Sequence, residues 1–469
     1  MLIFKKHYCI FVVQIYKKNI MKLFNELRLK FEKPDWSSNP EFGLIDTILE
    51  SHPFLYKILK DDVCRGTKES IFGRKDTPSV EQIVRAAIYK EMKKLDYREL
   101  EYAQKDSRIC VTFIKLDERK PFSFQMFQQY ISKISEQSLT RLLVEINKIA
   151  IGEGLEDVKK IRMDSTVVKT NIHYPTNNSL VWDCIKESHR LLSHLSEEIK
   201  DLSIRDYRGS AKKNYYKINI TKSKDKRQKL FIQQLILFTK SINQVDQVLR
   251  NSQKKNYSIS AKSIELSLGK LLPLMRQVYD FTRRKQVLGE SVPSDEKIFS
   301  IYELHTDIIV KGGREVLFGH KINLAGGKSN LILDCQTLEG NPSDTQLYQG
   351  TLDRIEKNYK VIPHDVTTDG GFASNGNKEH AQNKGIVNIV FNKVVGSMQN
   401  IATSKKMETM LKKWRSGMEA VISNYKRRFK MFVCNWKGEM HFKAKVLWSA
   451  IAYNIRVMTA QVISNFSTV

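Results

Sequence analysis

An α/β fold is predicted, with a mixed sheet and flanking helices, a large helical insertion after the first strand and an all-helical domain before it. Three observations predict it. Residues 41–158 keep helical spacing. At 158–172 the pattern turns strand-like: Ile161, Met163, Ser165 and Val167 alternate with Arg162, Asp164, Thr166 and Val168. Helical spacing then returns over 180–290, and strands and helices alternate from Val316 onward. At 469 residues, 41% hydrophobic and 10% aromatic, the chain can build two or three folded units with real cores, which excludes a disordered protein.

The elements follow in order. Residues 1–40 read as a tail with Pro34, Ser37, Ser38 and Pro40, in which residues 1–20 look like an upstream extension and Met21 like the true start. In the helical stretch, Thr77-Pro78-Ser79-Val80-Glu81 opens one helix, with proline and an acidic first turn. Asp96 is an N-cap for a second, Ser123 opens a third, and a fourth runs from Ser138 to Ile149. The first strand carries Asp164 at its middle. The insertion carries Ile185, Leu191, Leu192 and Leu195, then helical runs over 230–242 and 264–281. After it come strands at 316–324 and 330–335 joined by a Gly326-Gly327-Lys328 turn, and a helix over 345–358. A strand at 361–368 closes on Asp369-Gly370-Gly371, and a helix over 375–383 and a strand at 387–391 follow. A long basic helix over 405–429 and an apolar-striped helix over 442–462 end the chain. The expected domains are a helical DNA-binding leader over 41–158, a sheet core over 159–181 and 300–462, and the insertion over 182–299.

The formal net charge is +27. A protein this basic usually has a polyanion partner, most often nucleic acid; a generally lysine-rich proteome is the plain alternative. Part of the excess clusters at Arg205–Lys217 and Lys222–Lys229, where basic residues interleave with tyrosines, as on a surface tracking a phosphate backbone or simply on a solvated face. Six cysteines stand singly and no CxxC pair occurs, so neither a zinc ribbon nor a disulfide framework is supported and a reduced cytoplasm fits. The apolar run Tyr8–Tyr16 is too short to span a bilayer, and no membrane partner is expected.

Without the insertion, the element order is that of a ribonuclease-H-like sheet, in which the first and fourth strands are neighbours. Asp164 and Asp369 would then meet, and Glu419, on the later helix, would pack against the same edge. On a helix, Arg415, Glu419, Ile422 and Lys426 share one face, so a carboxylate is flanked by cations. Three carboxylates offer only oxygen ligands, which select Mg²⁺ or Mn²⁺ over zinc, and two such ions suit an in-line phosphoryl displacement. Gly370 and Gly371 would leave room for a phosphate beside Asp369. Each residue also has a structural reading: Asp164 facing solvent, Asp369 as a turn residue, Glu419 merely pairing with Arg415. Asp334 and Asp365 are competitors on similar strands.

The stretches Met163–Tyr174, Thr368–Phe372 and Arg415–Glu419 with Lys426 resemble bacterial insertion-sequence transposases of the DDE class, in the ISNCY-like group. Leu95–Leu100 and Asp106-Ser107 resemble their helical leader domain. Related transposases carry a Tyr-(2)-Arg-(3)-Glu-(6)-Lys pattern; Arg415, Glu419 and Lys426 match its spacing, and Lys412 stands at the Tyr position. The resemblance implies a metal-dependent enzyme that binds terminal inverted repeats and joins them to target DNA, acting as a homo-oligomer in the cytoplasm, at the nucleoid. Asp164, Asp369 and Glu419 would hold two Mg²⁺ (or Mn²⁺) ions, and Arg415, Lys426, Lys412 and Arg427 would contact double-stranded DNA. The rival readings are a ribonuclease-H-like nuclease without strand transfer and a decayed DNA-binding relic.

Overall fold

The computed structural model describes residues 36, 39–66, 77–116, 119–199, 202–252, 258–311, 315–393 and 398–467. The extension and alternative start read from residues 1–21 lie outside the described residues, as does most of the 1–40 tail.

Among the described residues, seven helices precede the sheet: Pro40–Ser51 (α1), Phe54–Cys64 (α2), Val80–Lys93 (α3), Tyr97–Asp106 (α4), Arg108–Ile114 (α5), Phe124–Ile131 (α6) and Glu136–Gly152 (α7). Their starts are set by side-chain caps. Ser79 with Gln82 and Asp96 with Glu99 form capping boxes, and Ser123 accepts from the Met126 N–H. Helix α7 begins two residues earlier than its apolar spacing predicts, because Ser135 is the cap. These helices do not form a core of their own. Ile83, Leu100, Phe113, Leu142 and Ile146 belong to one hydrophobic cluster with Ile161, Leu324, Val366 and Trp448. The leader is thus welded to the sheet.

Among the described residues the sheet has seven strands: Lys160–Thr170 (β1), Asp307–Lys311 (β2), Glu315–Gly326 (β3), Ile332–Thr337 (β4), Asp365–Asp369 (β5), Asn388–Asn392 (β6) and Val433–Cys434 (β7). The order is β2-β3-β1-β5-β6, with β4 also on β3 and β7 on β1. β1 runs antiparallel to β3 and parallel to β5, and β5 runs parallel to β6. This mixed arrangement is consistent with the ribonuclease-H-like expectation. Strands β2 and β7 were not predicted. The parallel register pairs Met163 with Thr368, so Asp164 and Asp369 leave neighbouring strands at the same level. β1 is a central strand, buried on both faces along most of its length.

The insertion contributes Asn177–Glu198 (α8), Arg208–Ile220 (α9), Lys224–Ser252 (α10) and Ile259–Arg283 (α11). It has a separate core, including Leu192, Phe238, Leu268 and Met275. Its basic run leaves Lys212, Lys213, Lys217, Lys222, Lys226 and Arg227 exposed. The remaining helices are Asp344–Tyr359 (α12), Asn375–Asn383 (α13), Lys405–Arg415 (α14), Gly417–Arg428 (α15) and Glu439–Ser467 (α16). The single basic helix expected over 405–429 is therefore two, broken at Ser416. Helix α16 is long and apolar enough to cross a membrane by composition, yet two thirds of that stretch (67%) is buried inside the protein. It serves as a core helix: the Asn454 carboxamide accepts from the Ile332 N–H of β4.

Candidate active site

Three separate elements bring their acidic residues to one place. Asp164 sits mid-way along β1, where the surrounding sheet leaves its side chain only 18% exposed. Asp369 ends β5 and accepts a hydrogen bond from the Gly370 N–H at 2.7 Å. Glu419 lies in the first turn of α15, where the helix dipole favours a negative charge. A single guanidinium joins them. Arg415 Nη2 lies 2.9 Å from Asp164 Oδ2 and 3.3 Å from Asp369 Oδ2, and Nη1 lies 2.8 Å from Glu419 Oε1. Arg415 itself is buried, with its side chain 6% exposed. Sequence reasoning gave Arg415 a role at the DNA backbone; here its head is turned inward among the carboxylates.

A fourth carboxylate stands beside them and was missed. Asp344, the first residue of α12, accepts from Ser165 Oγ at 2.8 Å and pairs with Lys321 Nζ at 2.8 Å. Its only sequence signal was an acidic residue at a helix start, which also suits simple capping. Burial pushes the Asp164 carboxyl up to about 6, and Asp369 and Asp344 push it the same way; the Arg415 cation and the Ser165 N–H oppose this.

The local fold explains the geometry. The break between α14 and α15 frees the Trp414 carbonyl, and Arg162 Nη1 donates to it at 2.7 Å. Arg162 also reaches Asn330 and stacks on the Trp414 ring, 4.7 Å from its centre. Arg162 and Asp164 are two residues apart on β1, so they share a face of the sheet. A Cβ on Gly417 would fall 2.1 Å from Arg162 Nη1. Glycine is needed there because the guanidinium fills the space. The same holds for Gly370, where a Cβ would lie 2.4 Å from the Lys393 carbonyl oxygen, and Gly371 faces Asp344. Close packing requires Gly370, while a Cβ on Gly371 would only press on Asp344 at 3.1 Å; both glycines also line the depression beside Asp369.

The other basic residues lie farther along the same helices. Lys412 pairs with Glu408 at 2.6 Å, Lys426 Nζ lies 5.7 Å from the centre of the Phe432 ring, and Arg427 is exposed. The competing aspartates are committed elsewhere. Asp334 is held by a bidentate Arg354, and Asp365 by Asn388 and Lys160. Beside Asp369 opens a surface depression of about 430 Å³, lined by Asp369 to Gly371, Ser374, Asn375 and Lys393 among others.

The donor set suits a hard divalent cation: every candidate ligand is a carboxylate oxygen, and the three already gather around a positive group. Among the described residues, however, no cluster of three or more His, Cys, Asp or Glu side chains is arranged as a ready metal cage. The guanidinium stands between them.

Comparison with curated proteins and with solved structures finds no match. Residues 311–455 match the family model of the transposase DDE domain. The match takes in β3 to β6, Asp369, Arg415, Glu419 and Lys426, and stops short of Asp164 on β1. The segment that carries two of the three carboxylates is thus similar to the transposase DDE domain.

Proposed function

We propose that the protein binds the ends of its mobile element and catalyses metal-dependent strand cleavage and joining to target DNA, with Asp164, Asp369 and Glu419 as the metal-holding triad. The observation that carries this reading is the convergence of carboxylates from β1, β5 and α15 on one cation, within 3.3 Å of Arg415. Oxygen ligands from three carboxylates match Mg²⁺ or Mn²⁺. When bound, a pair of such ions supplies charge neutralisation at the attacking and leaving oxygens of a phosphodiester. The chain's own residues do the rest. The sheet fixes Asp164 and Asp369 at one level, Asp344 and Lys321 flank them, and Lys412, Lys426 and Arg427 contribute positive charge on α14 and α15 for the DNA backbone. The exposed lysines of α9 and α10 offer further positive charge to a phosphate backbone. On this reading the enzyme belongs to the ISNCY-like group, works in the cytoplasm at the nucleoid and assembles as a homo-oligomer on paired ends.

The test is a cleavage and strand-transfer assay on DNA carrying the element's ends, with a binding assay alongside. Asp164→Asn should lose Mg²⁺-dependent cleavage while binding the ends as the unsubstituted protein does. Retained cleavage by the purified variant would overturn the assignment. Cleavage without joined product would instead identify a nuclease.

A further inference from the structure

Arg415 is the most unusual residue at the site. A guanidinium nine-tenths buried is expensive unless it is fully paired. Here it pairs with three carboxylates at 2.8, 2.9 and 3.3 Å, drawn from three elements. Yet the pairing is incomplete in two ways. Its Nε–H is buried without a hydrogen-bond partner. And one positive charge faces three negative ones, so the cluster retains two formal negative charges, the charge of one divalent cation. Asp344 does not alter this balance, because Lys321 neutralises it. Two of the three anions are also partly open to solvent, Asp369 at 43% and Glu419 at 66% of their side chains, whereas the guanidinium between them is not. An ion arriving from solvent therefore meets Glu419 and Asp369 first and Arg415 behind them.

We propose that Arg415 is an internal counter-ion, which holds the three carboxylates together in the metal-free protein and is displaced from between them when a divalent cation binds. The inference rests on the metal-site reading above and adds to it a competition between an arginine and the metal. The guanidinium prevents the mutual repulsion of the triad from opening the site before metal arrives. It also makes metal affinity a difference between two cations rather than a property of the carboxylates alone. Arg415 terminates α14 immediately before the break, so its side chain can leave the cluster without unwinding α15, which carries Glu419.

The experiment is titration of Mn²⁺ into the unsubstituted protein, R415Q and D164N, followed by calorimetry, with melting temperatures recorded in EDTA and in Mn²⁺. R415Q should melt lower in EDTA and bind Mn²⁺ on the order of tenfold tighter than the unsubstituted protein, a coupling of ordinary size. Equal or weaker binding by R415Q overturns the counter-ion role while leaving the metal site intact. Absence of Mn²⁺ binding from both proteins, or D164N binding as well as the unsubstituted protein, overturns the metal-site reading and the proposal with it. A measurement on the unsubstituted protein covers the case in which R415Q does not fold. Peptide mapping after treatment with an arginine-specific dicarbonyl should find Arg415 protected in EDTA and modified in Mg²⁺. Protection that is unchanged by Mg²⁺ overturns the proposal.

Discussion

Gly417→Ala puts the architecture behind Glu419 to a quantitative test. Gly417 is the first residue of α15, and at an unconstrained helical position alanine is favoured over glycine by about 1 kcal/mol. The sign should reverse here. The new Cβ would lie 2.1 Å from Arg162 Nη1, and Arg162 is 2% exposed and held by the Trp414 carbonyl and Asn330, so moving aside disrupts those contacts. To admit the methyl group, Arg162 must give up its hydrogen bond to the Trp414 carbonyl, a charged interaction of roughly 1.5–3 kcal/mol. It must also loosen its stacking on the Trp414 ring, which contributes about 0.5–2 kcal/mol. Set against the helix gain, the net loss is about 1–4 kcal/mol. Urea denaturation measures it as a lowered midpoint at constant slope. The same substitution made in an Arg162→Ala background should lose its cost, since the two residues compete for one volume. A Gly417→Ala protein at least as stable as the parent would refute the argument that Arg162 shapes the break.

Two further predictions concern buried charge. Burial holds the Asp164 carboxyl up to about 6, against an ordinary 3.8, so the folded chain disfavours its ionised form. Stability linked to this group is complete below pH ~4 and lost as pH rises through about 6, a change of roughly 3 kcal/mol. In metal-free buffer, Asp164→Asn should therefore gain on the parent in melting temperature between pH 4 and pH 7, whatever constant cost the lost Arg415 contact adds; a gap that does not change with pH contradicts this. Glu91 on α3 is fully buried against Lys445 of α16, with Lys90 at 3.2 Å and Ser449 at 3.1 Å. Glu91→Ala would strand two buried ammonium groups and should cost about 3–5 kcal/mol by urea unfolding; a loss under about 1 kcal/mol would mean the leader does not depend on that pair.

The positions of Asp164, Asp369 and Glu419 along the chain were legible because each sits on a locally patterned element: an alternating strand, a strand end before Gly-Gly, a basic helix. Their common contact with Arg415 was only half legible. The Arg415–Glu419 step of four residues is visible in any helix, but the Asp164 contact spans 251 residues and has no local signature. The helix break was hidden because the apolar and basic spacing runs through it almost unchanged, and only Gly417 in an otherwise strong helical run marked it. Arg162 looked like the polar half of an alternating strand, yet β1 is covered on both faces and the arginine is buried to hold the Trp414 carbonyl. The extra strand β2 is short and paired on one side to β3, so its identity depends on the partner. The merging of the leader and the sheet into one hydrophobic cluster is a property of surfaces that meet, which helical spacing cannot reveal.

The spread of the three carboxylates along the chain sets a timetable for synthesis. Asp164 is made early, but its neighbour on β5 comes only after the whole insertion, and Glu419 later still. At about 5–20 residues per second, β1 waits on the order of tens of seconds for its partners. The insertion has its own core, so it can fold during this interval while the central sheet remains incomplete. A chain released before residue 419 has no assembled site. The candidate site is therefore assembled only after residue 419 has emerged, and α16, which follows it, closes the core around which the site is built.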